Sequence, residues 1–171
     1  MFRTERLFIR LMEEEDLESL RVMHNDEETL RWLTDIFHVT KEEQRDWFIK
    51  MSASRNARRY VAINKELNQI IGVARLDEID LVNKNALIGV DISAEFRRQG
   101  FAYELYNCIM DYAFNSLNLH RLSLVTLESN VGAQELYIKL GFKQEGILTE
   151  AILRNGNYAN LICMYRVNSP K

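Results

Sequence analysis

The run Glu95-Phe96-Arg97-Arg98-Gln99-Gly100-Phe101-Ala102 has the composition of a phosphate cradle. It follows an apolar stretch, Ala86 to Ile92, that reads as a buried strand, and it opens an amphipathic helix expected over Ala102 to Phe114. The first N–H groups of a helix lack intrahelical partners and face any anion placed there, and the helix dipole adds positive potential. Gly100 has no Cβ and lets the backbone approach a ligand. Arg97 and Arg98 can add charge-assisted contacts to phosphate oxygens. The run is neither a P-loop nor a dinucleotide fingerprint, because it lacks their glycine count and the Lys-Ser/Thr ending. An Arg-rich turn ahead of a helix also occurs as a plain solvated connection, so residues further along have to decide.

Composition narrows the chemistry. A length of 171 residues with 47% hydrophobic content suits one domain with a sizeable core. A net charge of −3 argues against a nucleic-acid binder and would suit a cationic substrate. Cys108 and Cys163 show no metal-type spacing and read as buried free thiols in a reducing compartment. His24, His38 and His120 are scattered, so no metal is expected. No signal peptide or membrane-spanning run is legible, which predicts a cytoplasmic protein away from membranes.

The elements that would position the loop follow from periodicity. Leu7, Ile9 and Leu11 alternate with Phe8 and Arg10 as a first strand. Glu13 to His24 carries Leu17, Leu20 and Met23 at helical spacing, behind an acidic first turn that complements the dipole. Thr40 and Glu43 form a capping-box signature for a helix from about Lys41 to Met51. Tyr60 to Asn64 and Ile70 to Leu76 predict two strands joined by a turn around Asn68. Arg121 to Leu127 predicts another strand. A helix over Asn130 to Leu140 puts Ala133, Leu136, Tyr137 and Leu140 on one face and ends at Gly141. Phe142 to Leu153 and Tyr158 to Val167 predict a hairpin turning at Asn155-Gly156. The single proline, Pro170, is in the tail, and no repeat or linker divides the chain. The expectation is one α/β domain over residues 1–171.

Several segments now fall in a recognisable order: ALIGVDIS, then RRQGFA, then LSLVTL, then SNVGAQELYIKLGFKQEG, and last LRNGNY with a closing apolar strand. Arg-x-x-Gly-x-Ala resembles the acetyl-CoA pyrophosphate loop of the GNAT N-acetyltransferases, and Asn130 to Phe142 resembles that family's later Asn-(x)6-Tyr-x-x-Leu-Gly-Phe pattern. The end of the chain is similar to the subgroup of ribosomal-protein N-terminal, spermidine and aminosugar acetyltransferases. The resemblance implies a mixed, mostly antiparallel central sheet with splayed parallel central strands and helices on both faces. It also implies acetyl-CoA as co-substrate, with direct amine attack in a ternary complex. Backbone groups of Val90, Asp91 and Ile92 would pair with the pantetheine arm, and an N–H near Val90 would polarise the thioester carbonyl. Amides from Arg98 through Gln99, Gly100, Phe101, Ala102 and Tyr103 would hold the pyrophosphate. Asn130 would bond the cofactor's amide region, and Tyr137 would protonate the departing thiolate. Tyr137 read on its own could equally be a packing residue, since it keeps step with Ala133 and Leu140.

The chain departs from the pattern at the general base. Relatives place a Glu where this chain has Leu87, which cannot take a proton. Glu78, at the end of the preceding strand, is the candidate to assist, directly or through water. The absence of a carboxylate at Leu87 also weakens a polyamine assignment, because a polyamine site needs several convergent carboxylates. Arg31 and Trp32 fall in the segment that lines the acceptor site in relatives and would suit an acceptor with a carboxylate, phosphate or sugar ring. Trp32 and Trp47 are otherwise core or staple residues. An α-amino group near pKa 8 tolerates a missing base better than a polyamine does, so a peptide or protein N-terminus or a small amine is the expected acceptor. Polyamine or aminosugar acetylation and a non-catalytic acyl-CoA-binding module are the alternatives. Subunit number is not legible in the sequence; the family often pairs as dimers, and the late hairpin around Asn155 is one place for such a homodimer contact.

Overall fold

The computed structural model describes residues 1–168, so Pro170 lies outside the described residues. Alternation builds the first half of the sheet. In β2 (Leu7–Leu11), Leu7 and Ile9 are fully buried while Phe8 and Arg10 are only partly so. β1 (Phe2–Arg3), too short to show a period, pairs antiparallel with it. β3 (Arg58–Asn64), β4 (Gln69–Asp80) and β5 (Asn85–Ile92) continue the antiparallel run. β4 extends past the expected Leu76 because a register shift between Asp77 and Asp80, with Glu78 at φ 50°, lets the strand bend and go on.

The helices start where caps put them. Thr40 accepts from the Glu43 amide at 3.2 Å and Glu43 accepts from the Thr40 amide at 2.8 Å, which opens α3 (Lys41–Ala53). The acidic run after β2 behaves differently from the expectation. Glu14–Asp16 form a 3-10 turn, and α1 (Leu17–Asn25) begins only after it. Asp16 is 3% exposed and turned inward, where Arg10 donates to both of its oxygens at 2.7 Å. It is therefore a bidentate ion pair rather than a dipole partner. α2 (Glu27–Leu30), capped by Asp26, was not legible because four residues give no period.

α4 (Phe101–Asp111) buries Phe101, Leu105, Tyr106, Ile109 and Met110 and ends in a π-turn over Tyr112–Ser116. β6 (Arg121–Leu127) and α5 (Val131–Lys139) follow, then β7 (Lys143–Arg154) and β8 (Asn157–Val167). Asn155 (φ 49°) and Gly156 (φ 80°) are both left-handed, as a two-residue hairpin turn requires. The sheet order is β1-β2-β3-β4-β5-β6-β8-β7. Alternate residues of β3 divide the core: Tyr60 and Ala62 pack with α4, while Val61 packs with α1 and α3 on the other face. This is the mixed, mostly antiparallel sheet with helices on both faces that the family resemblance implied. Cys108 and Cys163 are free thiols but only half-buried, short of the full burial expected. Among the described residues no helix is long and apolar enough to cross a membrane.

One junction decides the site. β5 and β6 are the parallel pair, and they pair only from Asn85–Leu87 against Arg121–Ser123. Past that point β6 stays with β8 and β5 stays with β4, so their facing edges diverge. Unpaired strand edges facing a gap are a template for an extended ligand.

Candidate active site

The gap between β5 and β6 opens into a cleft of about 1560 Å³ that runs from the loop before α4 to the wall formed by β3 and β4. At the loop end, Arg98 (φ 58°) and Gly100 (φ 85°) are left-handed, which curls the backbone into a concave turn. The first backbone bond of α4 is Glu104 N–H to Gly100 C=O at 3.1 Å, so the amides of Phe101, Ala102 and Tyr103 precede it and have no intrahelical acceptor. Arg6 fixes this geometry from outside. It donates to Gln99 C=O at 2.9 Å, pairs with Glu104 at 2.8 Å, and stacks on the Phe101 ring at 4.2 Å. A Cβ on Gly100 would meet Arg6 at 3.3 Å and be strained by the positive φ.

The two arginines of the loop divide their work. Arg97 donates to Ile92 C=O at 2.9 Å, to Glu28 C=O at 3.0 Å and to the Thr29 hydroxyl at 2.8 Å. Its guanidinium thus ties the loop to β5 and α2 instead of facing an anion, which the local sequence could not reveal because the acceptors come from α2. Arg98 is exposed on the cleft. The side chains of Gln99 and Phe101 turn away, Gln99 to Glu95 C=O at 2.9 Å and Phe101 into the core, leaving only their backbones toward the loop's concavity.

Along the gap lie Val90, Asp91 and Ile92 on one edge and Leu124, Val125 and Thr126 on the other. Asn130 caps α5, its Oδ1 accepting from Ala133 N–H at 3.2 Å. Tyr137, one of the residues lining the floor, sits between Tyr106 (centroids 5.6 Å apart, nearly perpendicular) and Phe142 (6.1 Å). Burial, with the Asp91 carboxylate adding, pushes the Tyr137 hydroxyl above its ordinary range, so it keeps its proton at neutral pH.

The far wall is a cross-strand lattice. Arg75 stands opposite Gly89 in register, and its guanidinium lies flat where a Cβ on Gly89 would be 2.5 Å from it. It bonds Asp91 at 2.9 Å and lies 3.8 Å from Asp77, which Arg59 also grips at 2.6 Å. Burial weighs against the Arg75 charge, but Asp91, Asp77 and two tyrosine oxygens outweigh it and raise its affinity for its proton. Sequence reasoning missed these pairs. The alternation Arg75/Asp77 against Gly89/Asp91 was the available signal, and it becomes readable only once register is known. Leu87 lines the same wall. Glu78 is exposed at the bulge and does not line the cleft. Arg31 and Trp32 are brought together at the mouth, the guanidinium 5.3 Å from the ring. Trp47 lies under Arg59 at 5.6 Å, also on the cleft, so neither tryptophan belongs to the core. Glu28, Asp35 and Glu43 complete the rim.

The divergence of β5 from β6, the free amides at the start of α4 and the protonated Tyr137 all open onto one cleft. The chain matches the acetyltransferase (GNAT) domain family over residues 6–143 and belongs to that family. It is 30% identical over 163 residues to a spermidine N(1)-acetyltransferase of Vibrio cholerae, covering 95% of this chain and 94% of the relative. A spermidine N(1)-acetyltransferase of Escherichia coli K12 is 31% identical over 156 residues, covering 91% and 83%. The crystal structure of the Vibrio cholerae spermidine N-acetyltransferase in complex with CoA and spermine superposes with a TM-score of 0.90 at 28% identity, over 96% of each chain.

Proposed function

We propose that this chain, acting as one domain, moves an acetyl group from acetyl-CoA to the primary amine of a small molecule or peptide N-terminus. The observation that carries this is the divergence of β5 from β6 after Leu87, with the Tyr137 hydroxyl on its floor. Acetyl-CoA, when bound, supplies the thioester acyl group. The residues that would hold it are the amides of Arg98 to Tyr103 for the pyrophosphate, the β5 edge from Val90 to Ile92 for the pantetheine arm, and Asn130 for the amide region. The amine nitrogen bonds to the carbonyl carbon as the C–S bond breaks, an N–H near Val90 stabilises the oxygen, and Tyr137 gives its proton to the sulfur. The proton shed by the amine leaves through water, and Glu78, which stands outside the cleft at the β4 bulge, would act on that route only through intervening water. An unchanged pH–rate profile in Glu78→Gln would remove Glu78 from that route.

The inner wall supports a monocationic acceptor, because Asp77 and Asp91 are already neutralised by Arg59 and Arg75. A second reading, polyamine acetylation, is favoured by the spermidine-acetylating relatives and by the carboxylates of Glu28, Asp35 and Glu43 at the rim. Release of CoA thiol over peptides, amino acids, amino sugars and polyamines decides between them. No turnover on any class, with acetyl-CoA still raising the melting temperature, would make the chain an acyl-CoA-binding module.

The exposed β7 edge, with Leu153 and Tyr158 at the hairpin 54% and 68% exposed, is the surface we assign to self-association of a cytoplasmic dimer. Sedimentation of Leu153→Glu against the parent chain tests it, and an unchanged mass would discard the hairpin interface.

A further inference from the structure

Tyr106 lies on the buried face of α4 among Leu105, Ile109 and Met110, and is 2% exposed. A phenylalanine would fill that position, so the hydroxyl needs a reason. A buried hydroxyl without a partner is destabilising. The partner found for it is the Tyr137 hydroxyl, 3.5 Å away, with the rings edge to face. The buried Tyr106 proton requires an acceptor, and the Tyr137 oxygen is the acceptor it meets. Tyr137's own proton is then free to point into the cleft.

We propose that Tyr106 is a positioning residue for acetyl transfer: its O–H donates to the Tyr137 oxygen, turns the Tyr137 proton toward the leaving sulfur, and stabilises that oxygen as it becomes a phenolate. This rests on the reading of Tyr137 as the proton donor. No proton leaves Tyr106 in the step; the proton that moves is Tyr137's, and solvent restores it afterwards. A separation of 3.5 Å is long for two neutral hydroxyls, and hydrogen bonds to an oxygen gaining charge shorten and strengthen. The charged groups facing the pair are Arg75 from β4 and Asp91 from β5, which act on it in opposite senses. Their mutual pairing leaves the Tyr106 donor as the uncancelled local influence.

The test uses the full chain carrying Tyr106→Phe, which keeps the ring and its packing. On whichever amine the panel identifies, kcat falls roughly five- to tenfold while KM for acetyl-CoA stays within about twofold. In a Tyr137→Phe background the same change slows turnover by less than about twofold, because the hydroxyl it serves is gone. The readout independent of turnover is calorimetric binding of CoA across pH. CoA binding tightens as its thiol ionises against Tyr137, and Tyr106→Phe flattens that dependence. A fluorotyrosine at position 106, a stronger donor of nearly the same shape, steepens it. Equal slowing in both backgrounds, or an unchanged pH dependence of CoA binding, overturns the proposal. If Tyr137→Phe itself leaves kcat intact, the proton-donor reading falls and this inference falls with it. If Tyr137→Phe is slow and Tyr106→Phe is not, only this inference falls.

Discussion

The two ends of the cleft are built by opposite strategies. The end proposed to hold the cofactor is made of backbone: two left-handed residues, the free amides of a helix start, and a strand edge that diverges from its neighbour. The acceptor end is made of side chains from β3, β4 and β5 that cancel one another, Arg59 with Asp77 and Arg75 with Asp91. Backbone amides are nearly the same whatever residue carries them, so what that end presents to a ligand depends on the path of the chain more than on side-chain identity. Side-chain pairs are changed by single substitutions, so the charge of this wall can be altered one residue at a time.

Breaking the seam between the two ends should have the largest effect. Tyr137→Phe is expected to lower kcat roughly 10²-fold with little change in either KM, measured by CoA release. Gly100→Val attacks the backbone end alone. Strain at φ 85° should weaken acetyl-CoA binding by roughly tenfold in calorimetry and leave the acceptor KM alone. Arg75→Met attacks the side-chain end alone. With Asp91 released, kcat/KM for diamines over monoamines should rise roughly three- to tenfold at unchanged acetyl-CoA affinity. An unchanged ratio would break the comparison. Because the Tyr137 hydroxyl is held above its usual range, activity should show no fall from its ionisation below about pH 10.

The smallest effect concerns the brace behind the loop. Burial opposes the Glu104 charge, but hydrogen bonds from Thr4 and Arg6 outweigh it and hold its carboxyl below the usual value of 4.5. A depressed folded value means that this stabilisation is present above pH 4.5 and is lost as pH falls through the lower folded value. Glu104→Gln should therefore melt roughly 2–4 °C lower at neutral pH, and the difference should vanish in acid.

How much was legible follows the same divide. β2 and β6 lie where their alternation put them, and the Thr40–Glu43 box opened α3 at the expected residue. The Asn155-Gly156 turn required only two left-handed residues in a row. The cradle was readable because a strand, a glycine and a helix start are consecutive in sequence. Arg97 was misjudged within that same segment, since its partners Glu28 and Thr29 belong to a helix too short to foresee. Asp16 was read as a dipole partner because Arg10 lies on a different element, and only the β2 geometry brings the two within 2.7 Å.

The sequence by itself determined the order of the longer strands and helices, the Thr40–Glu43 cap and the glycine turn ahead of α4, because each depends on residues within one or two turns of each other. The opening between β5 and β6 was implied only through the family resemblance, and tertiary structure alone decided the neutralised charge pairs on the wall and the contact between Tyr106 and Tyr137. Those depend on strand register and on how far two helices approach across the sheet, and residues far apart in the chain carry no mark of either.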